Sequence, residues 1–320
     1  MFSNTRTTIL AWGPTGILAA MALIWFPLSP LRFGSENYAI LLKEAIVLSA
    51  AYGAGTLVIY RLREDRSRIA KHIRHYSAGL KIFIGALAFL VPLTHFGSLC
   101  MYMGASLGQP LLDPALARID QALGFDWLAF LEATNASPAI AYILVHAYHS
   151  TGPQFLLLIL FLSLTTWSER LSEFLALLAM TSLITAILFA LVPAVGAFDY
   201  YRPDRQLFDN FTQNAGMWHY NELIALRSGE EVEFVIGRVE GLVTFPSFHT
   251  VLAILTAYAV RDVRLLAAPV AILNAVVIVS TLPEGGHYLI DVLAGIVIAV
   301  GAIVLFRIVN AERLGEARAA

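Results

Sequence analysis

The chain has 320 residues, a formal net charge of −2, 58% hydrophobic and 14% charged residues, and a mean hydropathy of +0.71. A soluble domain carries about 25% charged residues, so a water-soluble globule is excluded, and the near-neutral balance offers no footing for nucleic acid. Cys100 is the single cysteine, so no internal disulfide can form, and the apolar residues come in runs near the length of a membrane helix rather than as the short alternating segments of a β-barrel.

These runs predict an all-α integral membrane protein of about eight transmembrane helices, near 8–28, 38–60, 80–103, 138–166, 171–192, 247–260, 265–282 and 288–307. Ala20-Met21-Ala22 resembles a cleavage site after Arg6. The apolar stretch nevertheless continues through Leu23-Ile24-Trp25-Phe26, so the first run reads as an uncleaved span. The fourth is too long for a plain crossing and contains "HSTGP" (149–153), where Pro153 removes a backbone donor and predicts a kink. Residues 1–137 hold the N-terminal spans and an outer segment, and 138–320 the catalytic part, in a single integrated membrane domain.

Lys and Arg set the orientation. Arg61, Arg63, Arg66, Arg68, Lys71 and Arg74 crowd one loop, and with eight spans Arg6, Arg170, Arg261, Arg264, Arg307, Arg313 and Arg318 fall on the same side. That side is predicted cytoplasmic. Segments 104–137 and 193–246 then lie outside. In the first, apolar residues recur at helical spacing around Phe125 and Trp127, which predicts an amphipathic helix lying in the interface. No internal repeat or low-complexity tract is present.

The segment "GLVTFPSFHT" (241–250) opens the sixth span. Pro246 disfavours helix in the residue before it, Ser247 suits an N-cap, and His249 falls in the first turn, where unpaired amides make an anion site. "STLPEGGHYLIDVLAG" (280–295) opens the eighth: Pro283, Gly285 and Gly286 break the seventh span, and Asp291 lies four residues after His287, on the same helix face. A carboxylate there fixes the imidazole tautomer and leaves the other nitrogen free to attack. Both histidines are expected at the outer surface, converging on one anion.

"PSFH" resembles the second signature of the type-2 phosphatidic acid phosphatase superfamily, Pro-Ser-Gly-His. Ser280, His287 and Asp291 are similar to its third, Ser-Arg-x-x-x-x-x-His-x-x-x-Asp. The resemblance covers about residues 171–310 and implies a six-helix-type core. It also implies His287 as a nucleophile forming a phosphohistidine, His249 as the acid for the leaving group, Asp291 orienting His287 and Ser247 binding phosphate, with no metal or other cofactor. Phe248 and Thr281 depart from the usual glycine and arginine. Arg202-Pro203 matches the end of the first signature, Lys-x-x-x-x-x-x-Arg-Pro, but Val195 stands in the lysine position. The missing cations must come from elsewhere; Arg202 and Arg227 rank level, with Arg205 a further choice. The two departures are similar to the branch that includes fungal inositol phosphorylceramide synthases and bacterial relatives, which implies transfer of a phospho-head group to an acceptor alcohol.

His146 and His149 lie one turn apart in the fourth span, with no third metal ligand evident. They read as bundle hydrogen bonds or head-group lining, and Lys43, Glu44 and His95 as interhelical partners. The expected activity is a lipid-phosphate phosphatase or phosphotransferase at the extracytoplasmic face of the inner membrane, if bacterial, with a lipid or polyol alcohol as the acceptor in transfer. The alternatives are a proton-coupled transporter and a lipid-binding protein without catalysis.

Overall fold

In the computed structural model, residues 2, 4–165 and 167–319 are described, with side chains as far as residue 311; Arg313 and Arg318 lie outside the described side chains. Three long apolar helices come first: α1 (Thr5–Trp25), α2 (Glu36–Arg61) and α3 (Arg68–Ser106). Two short amphipathic helices follow, α4 (Asp113–Ala122) and α5 (Trp127–Asn135). Then come α6 (Pro138–His149), α7 (Thr151–Leu164), α8 (Ser168–Leu191), α9 (Ala197–Tyr201) and α10 (Tyr220–Arg227). The chain closes with α11 (Phe248–Ala259), α12 (Ala267–Ser280) and α13 (Leu289–Ala319). Local chemistry sets several starts: the side chains of Asn4, Ser67, Asp126, Ser137 and Ser247 each accept a first-turn amide, as N-caps do.

Each predicted apolar run is helical, but the lengths differ from eight plain crossings. Among the described residues five helices are long and apolar enough to cross a bilayer, six if α5 and α6, bent by 109°, count as one span. The predicted fourth run is interrupted at Ser150, between α6 and α7, because Pro153 cannot donate to the preceding turn. Helices α11 and α12 have 12 and 14 residues, about 18 and 21 Å, against a hydrocarbon core of about 30 Å. Between them and α13 the chain runs as irregular backbone. A bilayer tolerates such backbone only where protein covers it, and Thr281, Glu284, His287 and Tyr288 are all buried.

The core packs α1, α3 and α8 together, and α11 sits against α8, α12 and α13. One end of the bundle gathers positive charge. There Arg170 and Arg261 pair with Glu173, Arg170 also pairs with Asp262, Arg307 Nε donates to the Tyr258 hydroxyl at 2.9 Å, and Arg6 donates to the Val309 carbonyl. The start of α11, with His249, is at the other end. A short parallel pair there, β1 (Leu31–Phe33) and β2 (Val232–Phe234), was not foreseen; it joins the segment after α1 to the one after α10. Buried Asn37 locks it, donating to the Phe234 carbonyl at 2.7 Å and accepting the Ile236 amide at 2.8 Å. Glu44 meets His95 at 2.9 Å between α2 and α3.

Helices α4 and α5 differ from the expected interfacial helix. Their apolar faces turn inward to the protein: Trp127 is buried, edge-on to Phe198 and stacked on Tyr201. Their partner is the floor of the site described next.

Candidate active site

Two short sequence signals build the centre. Ser247 caps α11, its hydroxyl accepting the Thr250 amide at 3.4 Å and the Thr250 hydroxyl at 3.1 Å. Its own amide donates to the Asp291 carbonyl at 3.0 Å, which ties the start of α11 to the start of α13. Gly295 makes that approach possible: a Cβ there would lie 2.6 Å from the Ser247 carbonyl oxygen. One turn earlier, Asp291 Oδ2 accepts the Tyr288 amide at 2.9 Å and stands 3.3 Å from His287 Nδ1. Asp291 is fully buried, and its Oδ1 has no partner among the described residues.

His249 is half-buried and stacks on Tyr148, ring centres 4.4 Å apart. A Cβ on Gly285 would lie 2.9 Å from the Tyr148 ring and 3.0 Å from the His287 ring, so the ring on which His249 stacks also borders His287. The structure therefore brings the two expected imidazoles together, with Asp291 behind one of them.

The loop carrying His287 is held from several sides. Trp127 Nε1 donates to the His287 carbonyl at 3.1 Å, and the His287 amide donates to the Thr281 carbonyl at 3.1 Å. Gly286 faces Gly216 so closely that a Cβ on Gly286 would lie 2.6 Å from the Gly216 Cα; both glycines have positive φ, a conformation few side chains tolerate. Two aspartates of α4 do the rest. Asp120 accepts the Leu289 and Ile290 amides at 2.7 and 2.8 Å, capping α13 from another helix. Burial raises its pKa, and those two amides oppose the shift. Asp113 accepts the Val195 and Gly196 amides at 3.0 and 2.8 Å and the Tyr288 hydroxyl at 3.1 Å.

Val195, in the lysine position of the first signature, is buried, and its carbonyl accepts His219 Nε2 at 2.9 Å. Burial pushes the His219 pKa below its ordinary 6.5. The unfolded chain therefore binds a proton below about pH 6.5 that folded His219 refuses, and stability falls as pH drops through that range, by up to about 1.4 kcal/mol per pH unit. The expected result is a drop in apparent melting temperature between pH 7.5 and 5.5 that is smaller in His219→Gln, which keeps a donor for Val195; equal drops in both proteins would refute it.

Among the described residues, none of the expected cations makes a hydrogen bond or ion pair with His249, His287 or Asp291. Arg202 is exposed, in a left-handed conformation at the end of α9, and its Nε donates to the Asp199 carbonyl at 3.1 Å. Arg205 donates to the Gln213 and Ala215 carbonyls and lies over the Phe198 ring. Arg227 donates to the Gln109 carbonyl at 2.6 Å, while its Nη1 is buried and has no partner among the described residues.

A second histidine–carboxylate pair, unforeseen as such, stands beside the first. His149 Nε2 is 2.9 Å from Glu284, which is fully buried within the His287 loop and also accepts the Thr212 hydroxyl at 2.5 Å. His146 stays local, bonded to the Tyr142 carbonyl. Among the described residues no group of three or more His, Cys, Asp or Glu side chains could hold a metal ion.

Asp113, Asp120, His219 and Glu284 escaped the sequence reading. A signal existed for the first two: Asp113, Leu116, Ala117 and Asp120 occupy one helix face, and all four are buried. A capped helix start, two converging imidazoles and a carboxylate behind one of them define a membrane site suited to an anionic group. The PAP2 superfamily model matches residues 114–305, and the chain belongs to that superfamily. The match begins before the 171–310 region of the motif resemblance and takes in α4 and α5. Neither a search of curated proteins nor one of solved structures found a match. Membership of the superfamily points to a membrane phosphatase or phosphotransferase.

Proposed function

We propose that the chain moves the phosphoryl part of a membrane lipid phosphate through a phosphohistidine on His287, at the extracytoplasmic face, and that either water or an acceptor alcohol, the latter as in the inositol phosphorylceramide synthase-like branch, completes the cycle. The observation that carries this reading is the His287 Nδ1–Asp291 contact of 3.3 Å in a buried loop facing the first turn of α11, where His249 stands.

In the first half-reaction Nε2 of His287 attacks phosphorus, the bond to the leaving oxygen breaks, and His249 gives that oxygen its proton. Asp291 holds the tautomer and balances the charge on the ring. In the second half the acceptor oxygen attacks phosphorus, its proton goes to His249, and the P–N bond breaks with its electron pair returning to His287. Ser247 and the unpaired amides of the first turn of α11 bind phosphate oxygens. Arg227, with one nitrogen free of partners among the described residues, supplies charge from α10, and Arg202 does so from the end of α9 after rotating off the Asp199 carbonyl.

The test is a trapped intermediate. Purified protein mixed with lipid phosphate labelled in the phosphoryl group, with EDTA present, is expected to carry an acid-labile, alkali-stable label on the peptide containing His287. Release of free phosphate measures hydrolysis, and label appearing in an added lipid alcohol measures transfer. Turnover with no labelled protein, or with label on another residue, refutes the phosphohistidine; turnover abolished by EDTA refutes the metal-free reaction. That Arg202 and Arg227 donate to the Asp199 and Gln109 carbonyls rather than reaching the histidines through a described bond favours a second reading, a lipid-phosphate binder without catalysis, which tight vanadate binding without turnover would support.

A further inference from the structure

His149 is the last residue of α6, where the helix dipole favours a positive side chain. Its Nε2 stands 2.9 Å from Glu284, three residues before His287 in the chain. That carboxylate is fully buried and also accepts the Thr212 hydroxyl and amide, at 2.5 and 3.3 Å. All three contacts suit an anion, and among the described residues its ion-pair partner is His149. A buried charge is costly without a counter-charge. The bond to Glu284 therefore takes the Nε2–H, and Nδ1 is left with no bond to a described residue.

A plain strut between α6 and the His287 loop would bury both partners. Here the His149 side chain is 46% exposed, and it lines, together with His249, a cavity of about 530 Å³. Because Glu284 is fully buried, the ring alone is what the pair presents. Tyr148 fixes how near the two imidazoles are. Its ring centre lies 4.4 Å from that of His249 and 5.4 Å from that of His149. The histidine rings are therefore no farther apart than those two distances together, a span that one phosphoryl group bridges with a hydrogen bond at each end. Trp218 stands edge-on to His149 at 6.0 Å and limits its swing.

The charge balance of the centre points the same way. Asp291 is buried there, a phosphate adds further negative charge, and Arg202, Arg205 and Arg227 donate to backbone carbonyls. Resting on the lipid-phosphate reading above, we propose that His149 is a phosphate-binding cation: anchored on Glu284 through Nε2, the charged ring donates Nδ1–H to an oxygen of the group held at the start of α11. It meets the ligand beside His249 without any arginine leaving its carbonyl. A neutral ring would instead turn a lone pair to the cavity, which suits an acceptor hydroxyl and repels a phosphate oxygen.

Binding is tested with octylphosphonate, whose P–C bond the reaction does not cleave, and its uncharged dimethyl ester. Each is titrated calorimetrically into the purified full chain at about pH 6, where a free imidazole is largely charged. His149→Gln keeps a donor for Glu284 and loses the charge; it is expected to raise the phosphonate Kd about tenfold or more. His149→Arg keeps the charge and is expected to stay within about threefold of wild type. The ester is expected to bind all three proteins alike. The side chain is half-exposed, so unchanged melting profiles are expected. Wild-type affinity in His149→Gln, equal weakness in His149→Arg, or an equal loss for the ester overturns the assignment.

A kinetic arm separates phosphate binding from a role toward the acceptor. With labelled lipid phosphate, His149→Gln is expected to raise KM and slow the appearance of label on the protein, while label once formed is discharged at the wild-type rate. Normal labelling with slowed discharge places His149 on the acceptor and overturns the proposal. If wild-type protein binds the phosphonate through His149 but neither labels nor turns over, the reaction falls and this site stands; turnover with phosphonate binding indifferent to His149 does the reverse.

Discussion

If His287 is the nucleophile proposed above, His287→Ala is expected to lose more than about 10³-fold in turnover on every phosphate substrate and all covalent label, while the fold is kept. The ring is buried and meets Asp291, but the residue's ties to Trp127 and Thr281 run through backbone atoms: the carbonyl accepts Trp127 Nε1 and the amide donates to the Thr281 carbonyl. An unchanged melting profile beside absent activity is the expected pairing. His249→Gln gives the contrast. Its loss is expected at about 10²–10⁴-fold for an alkyl phosphate, whose leaving oxygen needs a proton, and much less for a nitrophenyl phosphate, whose leaving group departs as the anion. If both substrates suffer alike in His249→Gln, the acid role falls, and if His287→Ala keeps its label, the nucleophile lies elsewhere.

Asp113→Ala is expected to be the most destabilising single change outside the two candidate histidines. It strands the Val195 and Gly196 amides and the Tyr288 hydroxyl, all buried or nearly so. Each unsatisfied donor costs about 1–3 kcal/mol, giving about 3–9 kcal/mol in all, a large part of the about 5–15 kcal/mol that holds a folded protein together. Low yield and a sharply lowered apparent melting temperature in detergent are the readouts. Asp113→Asn retains one acceptor oxygen but turns an N–H toward a donor, and falls between alanine and wild type. A melting temperature for Asp113→Ala within a degree or two of wild type would show that α4 is not what holds the 195–196 turn.

The parts of this architecture that the sequence disclosed are the local ones. Apolar runs announced the helices, and the proline–serine step before His249 and the four-residue step from His287 to Asp291 encode a cap and a helix face within one turn. What escaped depends on partners far apart in the chain. Asp120 and Asp113 sit on the face of α4 that buries Leu116 and Ala117, yet a charged residue on an amphipathic helix reads as solvent-facing until its amide partners in α13 and at 195–196 are known. Glu284 looked like a loop acid because His149 approaches it from α6. The number of crossings was obscured by residues 281–288, whose backbone is irregular but buried, so that hydropathy alone runs two short helices up to full length. Arg202 was singled out by its match to the end of the first signature and Arg227 by nearness in sequence, and a long guanidinium side chain is free to choose carbonyls such as those of Asp199 and Gln109 instead.

The cap that Asp120 places on α13 also sets an order of assembly. The carboxylate leaves the ribosome well before the two amides it will hold, and until α13 inserts, those acceptors, Trp127 Nε1 and the Ser247 amide all lack the groups they bind in the finished protein. A nascent chain halted after α12 would therefore carry His249 on an untethered helix end, inert toward lipid and dependent on the closing segment to gain its chemistry and its rigidity in one step.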